Sequence, residues 1–210
     1  MRVSDSHQVL FVHVPKTAGS SIDVIFDKEV ADARKAAGAR HATYERLLRR
    51  EEQFTDYWSF GFVRNPWARM VSWWSMIAMV FERADAGHQP AIDRIAKDPT
   101  AWLPEGEFRH DFDRFVLEGT EKISKVGRPQ IKTLSAGARL VDFIGRTENF
   151  EKDINIVRER LGLHPVQKVP KRNRSPHAHY TEYYNDVTRR KVAEVYAADI
   201  EAFGYTFEEG

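Results

Sequence analysis

Twice within its first 81 residues the chain passes from a short β-prone run through a tight loop into an amphipathic helix. Val9 to Val14 is β-prone and stops at Pro15, and Lys16 to Gly19 make the loop. Ile22, Ile25, Phe26 and Val30 then recur at helical spacing, with Ser20 and Ser21 as capping hydroxyls. Trp58 to Val63 is the second strand, followed by Asn65 as an N-cap and Pro66 in the first helical turn. Along that helix Trp67, Met70, Val71, Trp74, Ile77, Ala78 and Phe81 are spaced by three and four. Trp67 and Trp74 are expected in the core, while Trp73 points elsewhere. A polar helix runs from about Thr43 to Glu52, residues 82–110 read as short helices and loops, and Leu140 to Ile144 is a third strand. Phe150 to Leu161 is a helix ended by Gly162, and Asn185 to Phe203 is the last helix. Strands alternating with helices predict an α/β chain: one domain over 1–210, with a central, mostly parallel sheet flanked by helices.

Composition narrows the function classes. A length of 210 residues supports one core of adequate size. Hydrophobic residues at 42% and charged residues at 30% exclude a wholly disordered chain. The formal net charge of +1 argues against a general nucleic-acid coat, so no nucleic-acid partner is expected. Zero cysteine removes disulfides, thiolate metal sites and cysteine nucleophiles. The N-terminus is too polar early, and its apolar run too short, for a secretory signal. No stretch approaches the roughly 20 apolar residues of a membrane helix. A soluble, cytoplasmic chain is expected, and its oligomeric state is not legible.

The first loop, Val14 to Ser21, reads VPKTAGSS. A loop between a strand and a helix aims backbone N–H groups and a helix N-terminus at whatever it encloses, which favours anions. Lys16 adds charge, Gly19 permits close approach, and Thr17, Ser20 and Ser21 add hydroxyl donors. This is P-loop-like in physics but not in pattern. The Walker motif places its lysine directly after a glycine, and here Lys16 precedes Gly19. Ordinary ATP or GTP binding is therefore disfavoured. The plainer reading is a capped helix with a solvated lysine.

The second feature is FGFVRNPWARMVSWW, Phe60 to Trp74. Arg64 sits where strand gives way to helix, and Ser72 lies two turns in. A guanidinium fork with a hydroxyl suits a terminal phosphate. Alternatively Arg64 pairs with a carboxylate and Ser72 is a tolerated helical serine.

Taken together, a strand-end KTAGSS loop and, about 45 residues on, a strand-end VRNP with a helical serine resemble the PAPS-dependent sulfotransferases. PAPS is 3′-phosphoadenosine 5′-phosphosulfate. The likeness is nearest to the bacterial and Golgi carbohydrate type, which includes the heparan sulfate 2-O-sulfotransferases. It continues through DFIGRTENF, Asp142 to Phe150, and DIEAFGY, Asp199 to Tyr205. The resemblance implies that Pro15, Lys16, Thr17, Ala18, Gly19, Ser20 and Ser21 hold the 5′ end of PAPS, and that Arg64 and Ser72 hold its 3′-phosphate. It implies PAP (3′,5′-ADP) as product, no metal, and a hydroxylated small molecule or saccharide as acceptor. Arg146, Thr147 and Glu148 resemble a stretch that approaches adenine in cytosolic relatives, with Thr147 in place of tyrosine. The basic run VPKRNRSPHAHY, with Lys168, Lys171, Arg172 and Arg174, reads as a lid over the nucleotide or a dock for an anionic saccharide, and more plainly as a solvated basic loop; in the lid reading Arg172, Asn173 and Ser175 supply contacts. His177 and His179 alternate there, but two ligands make no metal site.

Sulfuryl transfer also needs a base for the acceptor hydroxyl, and histidine suits neutral pH. His41, 23 residues before Arg64, matches the position of the catalytic histidine in carbohydrate-type relatives and is the first candidate, with Lys16 as the catalytic charge on the leaving side. His13 beside the loop is the alternative, and His110 is a third. Asp23 or Glu29 qualifies only if burial raises its pKa. Two other functions stay open: a non-catalytic 3′,5′-ADP-binding module, and another phosphate-loop transferase such as a small-molecule kinase. Residues 82–135 are expected to form much of the acceptor pocket.

Overall fold

The structure, a computed structural model, describes residues 1–36, 41–167 and 178–208. In chain order its elements are β1 Arg2–Ser4, β2 Val9–Phe11, α1 Gly19–Glu29, β3 Arg34–Lys35, α2 Tyr44–Leu48, β4 Trp58–Val63, α3 Pro66–Asp85, α4 Gln89–Lys97 and α5 Pro99–Gly106. They continue with α6 Phe112–Arg114, α7 Thr120–Lys122, α8 Ser124–Gly127, α9 Gln130–Leu134, β5 Ser135–Ala136, β6 Arg139–Leu140, β7 Phe143–Arg146, α10 Phe150–Arg160, α11 Asp186–Val195 and α12 Ala197–Phe203. The chain packs as two compact units, Met1–Arg64 with Gln130–Asn173, and Asn65–Pro129 with Arg174–Gly210.

The first unit is a five-stranded sheet in the order β3-β1-β2-β4-β7. The pairs β2–β4 and β4–β7 are parallel, which is the centre expected from the alternating pattern. Two antiparallel pairs, β1–β2 and β1–β3, extend it into a mixed sheet. Strand β4 shows why each face is covered. Phe60 and Phe62 point to one side, where they join Phe11, Ile22, Phe26, Phe150, Ile154 and Val157 from β2, α1 and α10. Full burial of each of those phenylalanines contributes about 1.5–3 kcal/mol relative to exposure. Ser59 and Gly61 point to the other side. The Ser59 hydroxyl lies 3.2 Å from the Tyr44 hydroxyl, and a Cβ on Gly61 would stand 2.3 Å from a methyl of Leu134. Gly61 is thus the opening that seats α9.

The third parallel strand lies at Phe143–Arg146 rather than at Leu140 to Ile144. Leu140 instead pairs with Ser135 in a small hairpin. Asp142 between them is a tie: its carboxylate accepts both the Ser59 N–H and the Ser59 hydroxyl at 2.7 Å. Gly162 closes α10 at φ +67°, a left-handed conformation that glycine adopts without strain.

The second unit is built on α3. Asn65 caps it, its side chain accepting from the Trp67 and Ala68 N–H groups, and Pro66 opens it, as the sequence predicts. The expected division of the tryptophans is corrected. Trp73 is 2% exposed inside the core cluster, while Trp74 is only partly buried and donates its indole N–H to the Phe108 carbonyl at 3.0 Å. The reason is that every residue from Pro66 to Trp73 is buried, so the first two turns are an interior segment rather than a one-faced helix. The last helix is two helices, broken at Tyr196, whose buried hydroxyl donates to the Val126 carbonyl. Among the described residues no helix is long and apolar enough to cross a membrane.

Candidate active site

The loop after β2 is held in an unusual backbone state. Lys16 has φ 70° and Ala18 has φ 61°, left-handed values that cost a side-chain-bearing residue about 1–2 kcal/mol each. The Thr17 hydroxyl, expected as a donor to an anion, donates instead to the Val14 carbonyl at 2.8 Å and fastens the turn. Helix α1 begins at Gly19 with Ala18 as N-cap, and no side chain caps it. This corrects the expectation that Ser20 and Ser21 cap the helix: both lie inside its first turn. Its first backbone bonds run from the Ser21 and Ile22 N–H groups to the Ala18 carbonyl, at 2.9 and 3.3 Å. The N–H groups of the opening turn therefore face out of the helix end with its partial positive charge. Pro15, Lys16, Ala18 and Ser20 are half-buried on this rim, while Thr17 and Gly19 are enclosed. Left-handed residues next to an uncapped helix start are the backbone chemistry of an anion cradle.

Of the two candidate histidines of the first unit, His13 touches this loop and His41 packs on His13. The His13 ring packs on Gly19 so closely that a Cβ there would lie 1.8 Å from His13 Nε2. His13 is 4% exposed and stacks on Phe11 at 5.4 Å between centroids. The His41 ring meets it edge-on at 4.6 Å, and His41 Nδ1 is 3.4 Å from the His13 carbonyl oxygen. His41 stands two residues before Thr43, the N-cap of α2. One imidazole thus sits at the helix N-terminus, and a second packs behind it.

The carboxylate alternatives are engaged elsewhere. Asp23 pairs with Arg2 at 3.0 Å. Glu29 takes both guanidinium nitrogens of Arg158, at 2.9 and 2.7 Å. That pairing outweighs burial and holds the Glu29 carboxyl below its usual 4.5, the opposite of what a base would need. His110 is exposed in the second unit.

Arg64 directly follows β4 in the first unit. Ser72, 8% exposed, belongs to α3 in the second. The Arg146 N–H donates to Asp153 at 2.7 Å, and Glu148 lies in the turn Thr147–Asn149 that leads into α10. Arg172 and Asn173, with Lys168, Lys171, Arg174, Ser175 and His177, lie outside the described residues. Among the described residues no three His, Asp or Glu side chains are grouped to hold a metal ion.

The family model described as "Sulfotransferase family" matches residues 1–206. The chain belongs to the sulfotransferase family. The match runs over the loop, the strand-end Arg64 and the C-terminal helices, so sulfuryl transfer is the class of chemistry carried by this fold. Neither a curated protein nor a solved structure matches the chain. For a sulfotransferase, two features of this site were hidden in the sequence. One is the packing of His13 onto Gly19, which needs the strand and helix brought together. The other is Gln130, whose side chain meets the Arg64 backbone and which no motif marks.

The His13–Gly19 contact has a measurable consequence. Alanine at Gly19 gains helix propensity but drives its methyl into a buried ring. The clash is expected to win, lowering stability by about 1–3 kcal/mol. Removing the ring in the same chain, Gly19→Ala with His13→Ala, is expected to restore part of that loss. Thermal unfolding of the two single variants and the double reads the coupling, and strict additivity would contradict the contact.

Proposed function

We propose that this sulfotransferase moves a sulfuryl group from PAPS to a hydroxyl of a carbohydrate or related acceptor and releases 3′,5′-ADP. The observation that supports this most is the uncapped α1 N-terminus behind left-handed Lys16 and Ala18, with His13 packed on Gly19 and His41 packed on His13. Backbone N–H groups from Lys16 to Ser20 suit the 5′-phosphosulfate, and the Lys16 ammonium adds charge where the leaving phosphate oxygen gathers its own. His41 accepts the acceptor proton. As the acceptor oxygen bonds to sulfur, the bond from sulfur to the phosphate oxygen breaks, and its electron pair stays on the phosphate. In such transfers positioning and electrostatics carry the catalysis, by analogy with phosphoryl transfer. Arg64 is assigned to the 3′-phosphate. The roles of Ser72, Arg172 and Asn173 rest on the family resemblance alone.

Calorimetric titration of wild type and Arg64→Ala with 3′,5′-ADP and 5′-AMP tests the donor assignment. Loss of one guanidinium–phosphate pair is expected to weaken 3′,5′-ADP about 10- to 100-fold and to leave 5′-AMP nearly unchanged. Unchanged 3′,5′-ADP affinity would make Arg64 structural.

A further inference from the structure

We infer that Gln130 is the positioning residue that sets Arg64 for the 3′-phosphate; the inference rests on the donor site proposed above. Strand β4 runs in register with β7 only as far as Val63, opposite Arg146. Arg64 is the next residue, and its backbone lies beyond the paired ladder. Its N–H donates to Gln130 Oε1 at 3.0 Å, and its carbonyl accepts from Gln130 Nε2 at 2.8 Å. One carboxamide therefore grips both polar groups of one peptide residue. Gln130 is 0% exposed, so water does not compete for those bonds.

The grip is seated from behind. Gln130 opens α9, and Leu134 at the other end of α9 fills the space left by Gly61 on β4. The Leu134 carbonyl also accepts the Val141 N–H at 3.0 Å. Glycine two residues before the strand end and the carboxamide at the strand end thus fix α9 against β4 at two points. Asn65 follows at once with its own side chain committed to capping α3. Arg64 is left as a residue whose backbone is held by one buried amide while its side chain is half-buried. Backbone dihedrals set the Cα–Cβ direction and the rotamers open to a side chain, so holding both peptide groups of residue 64 narrows where the guanidinium can reach. Gln is the side chain for this task. It carries a donor and an acceptor side by side, where Glu lacks the donor and Met lacks both.

The test is a calorimetric cycle of wild type, Gln130→Met, Arg64→Ala and the double variant, each titrated with 3′,5′-ADP and 5′-AMP. Gln130→Met is expected to weaken 3′,5′-ADP about tenfold while 5′-AMP changes less than about twofold, the loss of a well-aimed charged hydrogen bond. In the Arg64→Ala background the same substitution is expected to cost nothing further. Equal losses for both ligands, or a full further loss in the Arg64→Ala background, would make Gln130 a merely structural residue and overturn the inference. Failure of wild type to prefer 3′,5′-ADP over 5′-AMP would remove the 3′-phosphate reading itself, a separate and distinguishable result. Should Gln130→Met not fold, the Gln130 side-chain amide and the Arg64 backbone amide are followed by NMR in wild type. Both are expected to shift with 3′,5′-ADP and not with 5′-AMP, and silence at both would overturn the inference.

Discussion

Replacing Lys16 is expected to abolish turnover while leaving the protein folded. The ammonium is the one formal charge carried by the loop itself, and the proposed donor site assigns it to the leaving phosphate oxygen. Loss of one preorganised group of this kind costs about 10²–10³ in rate, and a full charge costs no less. Lys16→Ala retains the left-handed strain at φ 70°, so its unfolding temperature is expected to stay close to wild type. Lys16→Gly separates the two roles further. Glycine accepts that φ freely, so this variant is expected to be as inactive as Lys16→Ala yet as stable as wild type or slightly more so. Strain kept at a site where glycine would relieve it signals that the side chain is needed there. Turnover of PAPS in the presence of an acceptor, measured beside thermal unfolding, reads both effects. Normal turnover by either variant would remove the leaving-side role of Lys16.

The second large effect is at His41. His41→Ala is expected to lower kcat by about 10²–10⁴, the range of a lost general base, with 3′,5′-ADP affinity retained. The two affinities and rates together matter, because His41 leans on His13 and His13 leans on the loop. A variant that merely loosened the loop would lose nucleotide binding as well. Full activity in His41→Ala would move the base to His13, since Asp23 is paired with Arg2 and Glu29 with Arg158.

Much of the fold was legible because the first half of the chain obeys local rules. The β4 strand, the Asn65 cap and the Pro66 start follow from side-chain pattern and capping chemistry within a few residues of one another. The antiparallel strands β1 and β3 were not legible. At three and two residues they carry no periodicity, and only pairing along the edge of β2 makes them strands. Trp73 was misplaced because a single apolar stripe was assumed for a helix buried all round its first two turns. The caps at Ser20 and Ser21 failed because the backbone turns through left-handed Ala18, and sequence gives a weak signal for a non-glycine residue there. At the proposed site, the loop at Lys16 and Gly19 and the place of Arg64 just after a strand were legible from local pattern. His13 against Gly19 and Gln130 against Arg64 were not, since each joins residues that meet only through the sheet.

The loop from Pro15 to Ser21 is proposed to serve a PAPS-type nucleotide. The most direct measurement is calorimetric titration of the wild-type chain with 3′,5′-ADP, 5′-AMP and magnesium-ATP. Micromolar binding of 3′,5′-ADP, much weaker binding of 5′-AMP and none of magnesium-ATP is the expected result. Tight magnesium-ATP binding with no preference for 3′,5′-ADP would contradict it.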